Sequence, residues 1–427
     1  MKVAQNGLND KTICLDNHLV ENCALFADIK LALWKSGCLR EDFPFNDIVY
    51  AYHEVGKHFV PSFLLAQLNN VRDILREKPG TTYSEIIRFL DVLLDKHDGK
   101  YDYRSYLALS LLDLPDEEVA AGSIDLSWDK LNWRIVLMLS DIVQFELEAL
   151  DGVVSWLPEM PPSAELVSRR CRLAFKALSH FLGKHIIDFG INHEGPGTAC
   201  RVIFKKIESL KSRQETARLQ RSMLPVYRVH DEYLFIRILQ CFETTFSWIA
   251  AHLQKNALNI FSEDIAGAAR TIAHCEEHLK SAITFLFPIL SSMRPESFKN
   301  FRRYTEGASA IQSRNYKKVE SLCRKPDEDR LNSIAYESVP DVQEGILSDY
   351  DNLDSVYRAA KHNPYSSQDD LTRVKERMRS FESSLIRWRK AHYGIAVKML
   401  GEGPGTGYTE GTPYLKEIRE IPVFKEI

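Results

Sequence analysis

One helix constrains the chain more than any other feature. From Leu371 apolar residues fall at 371, 374, 378, 381, 385, 388, 395 and 399, in steps of three and four that line a single helical face. A seam sustained from Leu371 to Met399 predicts a helix that crosses a whole domain and must be buried against others. Ser367 or Asp369 stands where it would cap the start, and Gly401 where it would end the helix. The seam has a single polar member, His392, flanked by Trp388 and Ile395. A neutral imidazole in a core needs a donor and an acceptor satisfied, and it is among the commonest metal ligands. A hydrogen bond to a protein neighbour is the more frequent use, so both readings stand at this point.

Helical periodicity runs through most of the chain, near 19–36, 59–77, 82–97, 126–150, 164–189, 198–222, 231–254, 262–288, 296–322 and 368–400, and alternating β patterns are nearly absent. The fold class expected is all-α, a helical bundle. "EKPGTT", "LPEMPPSAE" and "NHEGPGT" punctuate it, and the polar stretch from Arg324 to about Asp370 reads as loop or linker. Two regions are expected: residues 1–200, helical and covering a pocket or an oligomer interface, and residues 201–427, carrying the chemistry. There is no repeat at a solenoid period.

Composition closes off several classes. With 44% hydrophobic and 27% charged residues the chain is neither disordered nor fibrous. Lys plus Arg number 55 against 59 acids, a net charge of −4, so no global field draws it to nucleic acid or an anionic membrane. No apolar run reaches the ~18 residues of a spanning helix, and "MKVAQNGLNDKTICLDN" has no secretory apolar core; the expected location is cytoplasmic. The eight cysteines form no CxxC pair, which excludes a zinc ribbon, a thioredoxin-type motif and a disulfide framework.

Three segments carry candidate chemistry. After the seam helix comes "GPGTGYTEG", whose amides, with Gly405 and the Thr406 hydroxyl, can hold a carboxylate or carbonyl beside whatever His392 holds. It lacks the lysine of a P-loop. "HDEYLFIRILQCFETTFSWIAAHL" places Phe235, Leu239, Phe242 and Phe246 on a broad apolar face. In "FKNFRRYTEGASAIQSRNYKKVE" Arg302 follows Phe298 and Phe301, and a small-residue run includes Ser309. A guanidinium beside aromatics makes a good carboxylate fork. The plain alternatives are core packing for Phe235 and Phe298, an ion pair of Arg302 with Glu306, and a carbonyl back-bond for Ser309.

Together these segments resemble the tryptophan 2,3-dioxygenase family, within the superfamily of histidine-ligated heme-dependent aromatic oxygenases. The family's HDExLFIxxHQxxE, FRxxLxPASGFQSxxFRxxE, and WRxxHV with GTGGSxG stand here as "HDEYLFIRILQCFE", "FRRYTEGASAIQSRNYKKVE" and "WRKAHYGIAVKMLGEGPGTGYTEG", in the same order. The resemblance implies heme b ligated by His392 with Trp388 beside it, Arg302 on a substrate carboxylate, Ser309 near the heme's distal face, Phe235 and Phe298 as pocket walls, and Thr406 on the substrate's amino acid group. It implies dioxygen as co-substrate, an aromatic amino acid as substrate, tryptophan or a tryptophan-derived indole cleaved at C2–C3, and a homodimer or homotetramer. "YDYRSYLALSLLDL" resembles the family's YGxYLxLxxLL and makes Tyr103 and Tyr106 pocket candidates, although the separation from the HDE segment is far larger than in the family.

Departures are as informative. Leu239 occupies the place of the family's distal histidine, Ala310 and Ile311 replace glycine and phenylalanine, Glu306 and Gly307 replace a residue–proline pair, and Tyr408 replaces the second glycine of GTGG. The pocket is therefore expected to be more apolar, which leaves hydroxylation or ring rearrangement of a substituted aromatic amino acid, as in the pyrrolnitrin-pathway branch, as an alternative to cleavage. A third reading is a non-heme metal bound by His274 and His278, at i and i+4 in "HCEEH". A non-catalytic helical scaffold is the fourth.

Overall fold

The computed structural model describes residues 17–37, 43–78, 83–115, 128–154, 156–183, 196–261, 264–348, 351–401 and 411–427. Among them the chain is helical and carries no strand, its only β-type contact being an isolated bridge between Glu159 and Val229. The N-terminal helices α1 (Asn17–Lys35), α2 (Phe45–Val55), α3 (Ser62–Arg76) and α4 (Ser84–Leu93) close round a core of their own that includes Leu31, Ile48, Leu64 and Phe89. A short turn of helix, α5 (Tyr103–Tyr106), follows. A second, larger core is built by α6 (Trp128–Leu150), α7 (Ala164–Leu182), α8 (Pro196–Leu210), α9 (Arg213–Arg221), α10 (Asp231–Phe261) and α11 (Ile265–Leu290) together with some of the helices that come after them. Following in order are α12 (Pro295–Arg302), α13 (Arg314–Cys323), α14 (Glu328–Leu331), α15 (Ile334–Glu337), α16 (Pro340–Leu347), α17 (Leu353–His362), α18 (Gln368–Leu400) and α19 (Thr412–Ile418). Of these, α12, α13, α17 and α18 join this core, while α14, α15 and α16 gather round a small one of their own that includes Leu331, Tyr336 and Ile346, with Tyr414 of α19 packed against it. Helix α11 packs against both α10 and α18, while α6 and α13 pack against α10.

The ends of these helices follow from local chemistry. Ser367 caps α18 by accepting from the Asp370 amide at 3.3 Å, and Gly401 closes it at φ +63°. The stretch 198–222, read as one helix, is two, because Ser212 and Glu215 form a reciprocal capping box that starts α9. The stretch 296–322 is likewise interrupted: α12 stops at Arg302, and the chain turns through Glu306 at φ +48° before α13. Residues 324–370, expected as loop or linker, carry α14 to α17, so the polar and proline residues there mark helix starts instead of coil.

The start of α10 is fixed by buried charge. Asp231 accepts from Arg170 Nη2 at 2.8 Å and from the Arg294 amide at 3.1 Å, while Arg170 also donates to Glu146 at 2.6 Å. Asp231 thus ties α7 and the start of α12 to α10, and Arg170 carries the link on to Glu146 of α6. Glu232 accepts from the Val226 and Tyr227 amides at 2.8 and 3.1 Å and from the Tyr106 hydroxyl at 3.2 Å. His230 stacks on Phe145, 4.6 Å between centroids, with Nε2 3.5 Å from Glu146. The HDE triplet therefore organises the bundle and leaves the cavity to the residues after it.

Candidate active site

Helices α10, α12, α13 and α18 enclose a cavity with about 1430 Å³ of atom-free space, its mouth included. The α18 seam shows how it arises. Leu371, Val374, Met378, Phe381 and Leu385 are buried in the core, but from Trp388 onward the same face meets the cavity, and Trp388, His392, Ile395 and Met399 line it. The imidazole of His392 is half-buried because it faces this space and not packed protein. Its ring touches that of Trp388, 5.1 Å between centroids, and among the described residues no hydrogen bond to it is found. Burial lowers its pKa to about 4, so the ring is neutral at physiological pH and offers a nitrogen lone pair to the cavity.

Trp388 is held by Tyr316, 5.1 Å away and 27° from parallel, and by Phe246, edge-on at 5.0 Å. Its Nε1–H is buried with no hydrogen-bond partner among the described residues. A buried donor left unpaired costs free energy, so such a group marks the place of a missing acceptor.

Positive charge collects at this end. Glu320 meets Arg330 at 2.7 Å, Arg389 at 2.8 Å and Lys317 at 3.7 Å. Burial alone would raise its carboxyl, but Lys317, Arg330 and Arg389 hold it well below the usual carboxylate range. One carboxylate thus serves three cations. Lys317, 2% exposed, lines the cavity, and burial lowers its ammonium to about 8.

Arg302, the last residue of α12, reaches the cavity from another wall, beside Phe298 and Ser309. Burial lowers its pKa. Glu306, offered above as its ion-pair partner, lies by His58 at 3.6 Å and Lys96 at 3.9 Å. The Ser309 amide donates to Gln312 Oε1 at 3.1 Å, and the same oxygen accepts from the Tyr103 amide at 2.9 Å. Phe235 and Phe298 meet edge to face at 5.5 Å and, with Leu239, form an apolar wall. Tyr103 and Tyr106 also line the cavity despite their distance in sequence, with hydroxyls bonded to Glu243 and Glu232.

Two expectations do not gather at the site in the described residues. Gly405 and Thr406 lie outside them, although Gly411 and Tyr414, just beyond, line the cavity. His278 is buried edge-on to Trp248 at 4.4 Å, and no group of three or more metal-ligating side chains exists among the described residues. Among the described residues the pair His274 and His278 is thus one helix face packed inward at His278, with no third and fourth ligand of the kind a zinc or iron site needs. Lys317, Glu243 and Tyr414 were not singled out from sequence; the i, i+3 pair of Lys317 with Glu320 was the available signal.

Residues 205–349 match the family model described as tryptophan 2,3-dioxygenase. The chain is 25% identical over 236 residues to the tryptophan 2,3-dioxygenase of Shewanella woodyi, a match spanning 48% of this chain and 82% of that one. It is 22% identical over 227 residues to that of Anaeromyxobacter sp., spanning 46% and 85%, and 25% identical over 238 residues to that of Bradyrhizobium diazoefficiens, spanning 48% and 84%.

Proposed function

We propose that this enzyme, a member of the tryptophan 2,3-dioxygenase family through residues 205–349, binds heme b in the cavity between α10 and α18 and uses dioxygen to oxidise tryptophan or an indole amino acid derived from it, at the C2–C3 bond. The observation that carries this reading is the pairing of a neutral, cavity-facing His392 with the unpartnered Nε1–H of Trp388. The residues present fit the group. His392 would hold the iron through its ring nitrogen, Trp388 and Lys317 would offer donors to the carboxylates of the group, and Phe242, Phe246 and Phe287 would give it an apolar bed.

When bound, the heme supplies the site at which dioxygen is activated. The protein's share is positioning and exclusion. Arg302 holds the substrate carboxylate through charge-assisted hydrogen bonds, and Ser309 and Thr406 orient its amino acid group. Phe235, Leu239 and Phe298 hold the aromatic ring and keep water from it. The rings of Tyr103 and Tyr106 complete that wall, their hydroxyls turned to Glu243 and Glu232. Reconstitution with hemin, followed by anaerobic substrate binding and product mass after oxygenation, tests the reading. A Soret band and two added oxygens support it, one added oxygen selects hydroxylation, and a protein that takes up no heme overturns it.

A further inference from the structure

The loop from Arg303 to Ala308, which joins Arg302 to Ser309, is held from outside. Within it Glu306 adopts φ +48°, a conformation disfavoured for any residue with a β-carbon, and such strain persists only where the surroundings fix it. Position 307 is glycine where the family motif has proline, so no ring stiffens the turn from within. The fixing groups come from the N-terminal part of the chain. Lys96, just past α4, donates to the Tyr304 carbonyl, and its ammonium lies 3.9 Å from the Glu306 carboxylate. His58 Nδ1, between α2 and α3, stands 3.0 Å from the same ammonium and 3.6 Å from Glu306. The Tyr304 ring stacks on Tyr227 at 4.5 Å and meets Phe59 edge-on at 5.0 Å. The Tyr101 carbonyl lies so close to Gly307 that a β-carbon there would come within 2.9 Å of it. Inside the loop the Thr305 amide and hydroxyl both donate to the Arg302 carbonyl, at 3.2 and 2.9 Å, so a displacement at Tyr304 is passed to Arg302.

We propose that Lys96 is a positioning residue for amino acid binding: by holding the Tyr304 carbonyl it sets the place of the Arg302 guanidinium in the cavity. The N-terminal helices thereby govern affinity for a carboxylate, although no described residue of α1 to α4 lines the cavity. His58, Lys96 and Tyr101 all lie outside residues 205–349, the part that matches the family. The inference rests on the proposed function, since it takes the ligand to be an amino acid whose carboxylate Arg302 holds. Without the ammonium the guanidinium keeps its chemistry but loses its fixed place, and a charge-assisted fork misplaced by about 1 Å gives up most of its worth. A ligand with no carboxylate is indifferent to that loss.

The test uses Lys96→Met, which keeps the apolar stem of the side chain and removes the ammonium. Hemin-reconstituted protein is titrated without oxygen, by equilibrium dialysis, with L-tryptophan and with tryptamine. L-Tryptophan is expected to bind about ten-fold more weakly than to the wild type, and tryptamine to stay within about two-fold. In an Arg302→Ala background the same substitution is expected to have no further effect, since no guanidinium is left to misplace. Gly307→Ala, which sets a methyl group against the Tyr101 carbonyl, is expected to give the same split and serves in place of Lys96→Met if that variant does not fold. Unchanged L-tryptophan affinity, equal losses for both ligands, an undiminished loss in the Arg302→Ala background or loss of folding in both variants overturns the proposal. Failure of the wild type to take up hemin, or to bind either ligand, instead overturns the function on which it rests, and the proposal with it.

Discussion

The Trp388 indole lies over the Tyr316 ring, 5.1 Å between centroids and 27° between planes, and this stack joins α18 to α13 at the floor of the cavity. It fixes the direction of the indole N–H while leaving that group without an acceptor among the described residues. Trp388→Phe keeps the ring and removes the donor. The apo protein is expected to lose nothing from that deletion, or to gain up to about 1 kcal/mol in urea unfolding as a buried orphan disappears. Hemin affinity, read by Soret titration, should fall roughly ten-fold; unchanged affinity would place the cofactor carboxylates elsewhere.

His392→Ala is expected to abolish stable hemin binding, since His392 is the imidazole that the α18 seam brings to this cavity. A normal Soret band together with turnover in the variant would reject it as the ligand.

Arg302→Ala should weaken aromatic amino acids by about ten- to a hundred-fold, the worth of a charge-assisted hydrogen bond. Decarboxylated amines such as tryptamine should be little affected. Equal losses for both ligand types, measured as dissociation constants, would remove Arg302 from carboxylate recognition.

Glu320 is the counter-ion of Lys317, Arg330 and Arg389 at once. Glu320→Gln leaves two buried cations and the half-buried Arg330 without it and is expected to destabilise the fold by about 3–5 kcal/mol in urea unfolding. A loss below about 1 kcal/mol would mean that the cations find other partners.

His278, 1% exposed, has its pKa lowered to about 2 by burial. The unfolded chain takes up this proton below pH ~6.5, and the native state does so only far lower. Between those values the unfolded state binds more protons, so stability falls as pH falls, by up to about 1.4 kcal/mol per pH unit from this group. His278→Phe should flatten the profile between pH 6 and 4. Parallel slopes for wild type and variant in urea titrations would contradict this origin.

The seam of α18 and both its ends were legible because periodicity and caps are local signals. The convergence of α10, α12 and α18 on one cavity was legible only through motif order. Periodicity did not show that Trp388 leaves the core to face open space, since the seam keeps the same spacing on either side of it; the resemblance alone put it beside a cofactor. Most of the cation cluster was hidden as well: Lys317 and Glu320 are an i, i+3 pair on one helix, but Arg330 and Arg389 come from two others and only tertiary placement brings them to Glu320. Segment 324–370 was misread because prolines, asparagines and serines that look like coil are also what short helices begin with.

The Tyr106 hydroxyl bonds Glu232 across 126 positions of chain, and the Tyr101 carbonyl sits so close to Gly307 that a β-carbon there would approach it to 2.9 Å. Lys96 also donates to the carbonyl of Tyr304 in the same loop. Between Tyr106 and Glu232 the chain runs out through α6, α7, α8 and α9 and comes back to where it left. Such an excursion adds little entropic cost, because closing a loop grows dearer only with the logarithm of its length. A cavity wall can therefore tolerate a long stretch of chain between its halves, but a version trimmed to begin near residue 200 would lack one side of its own chamber.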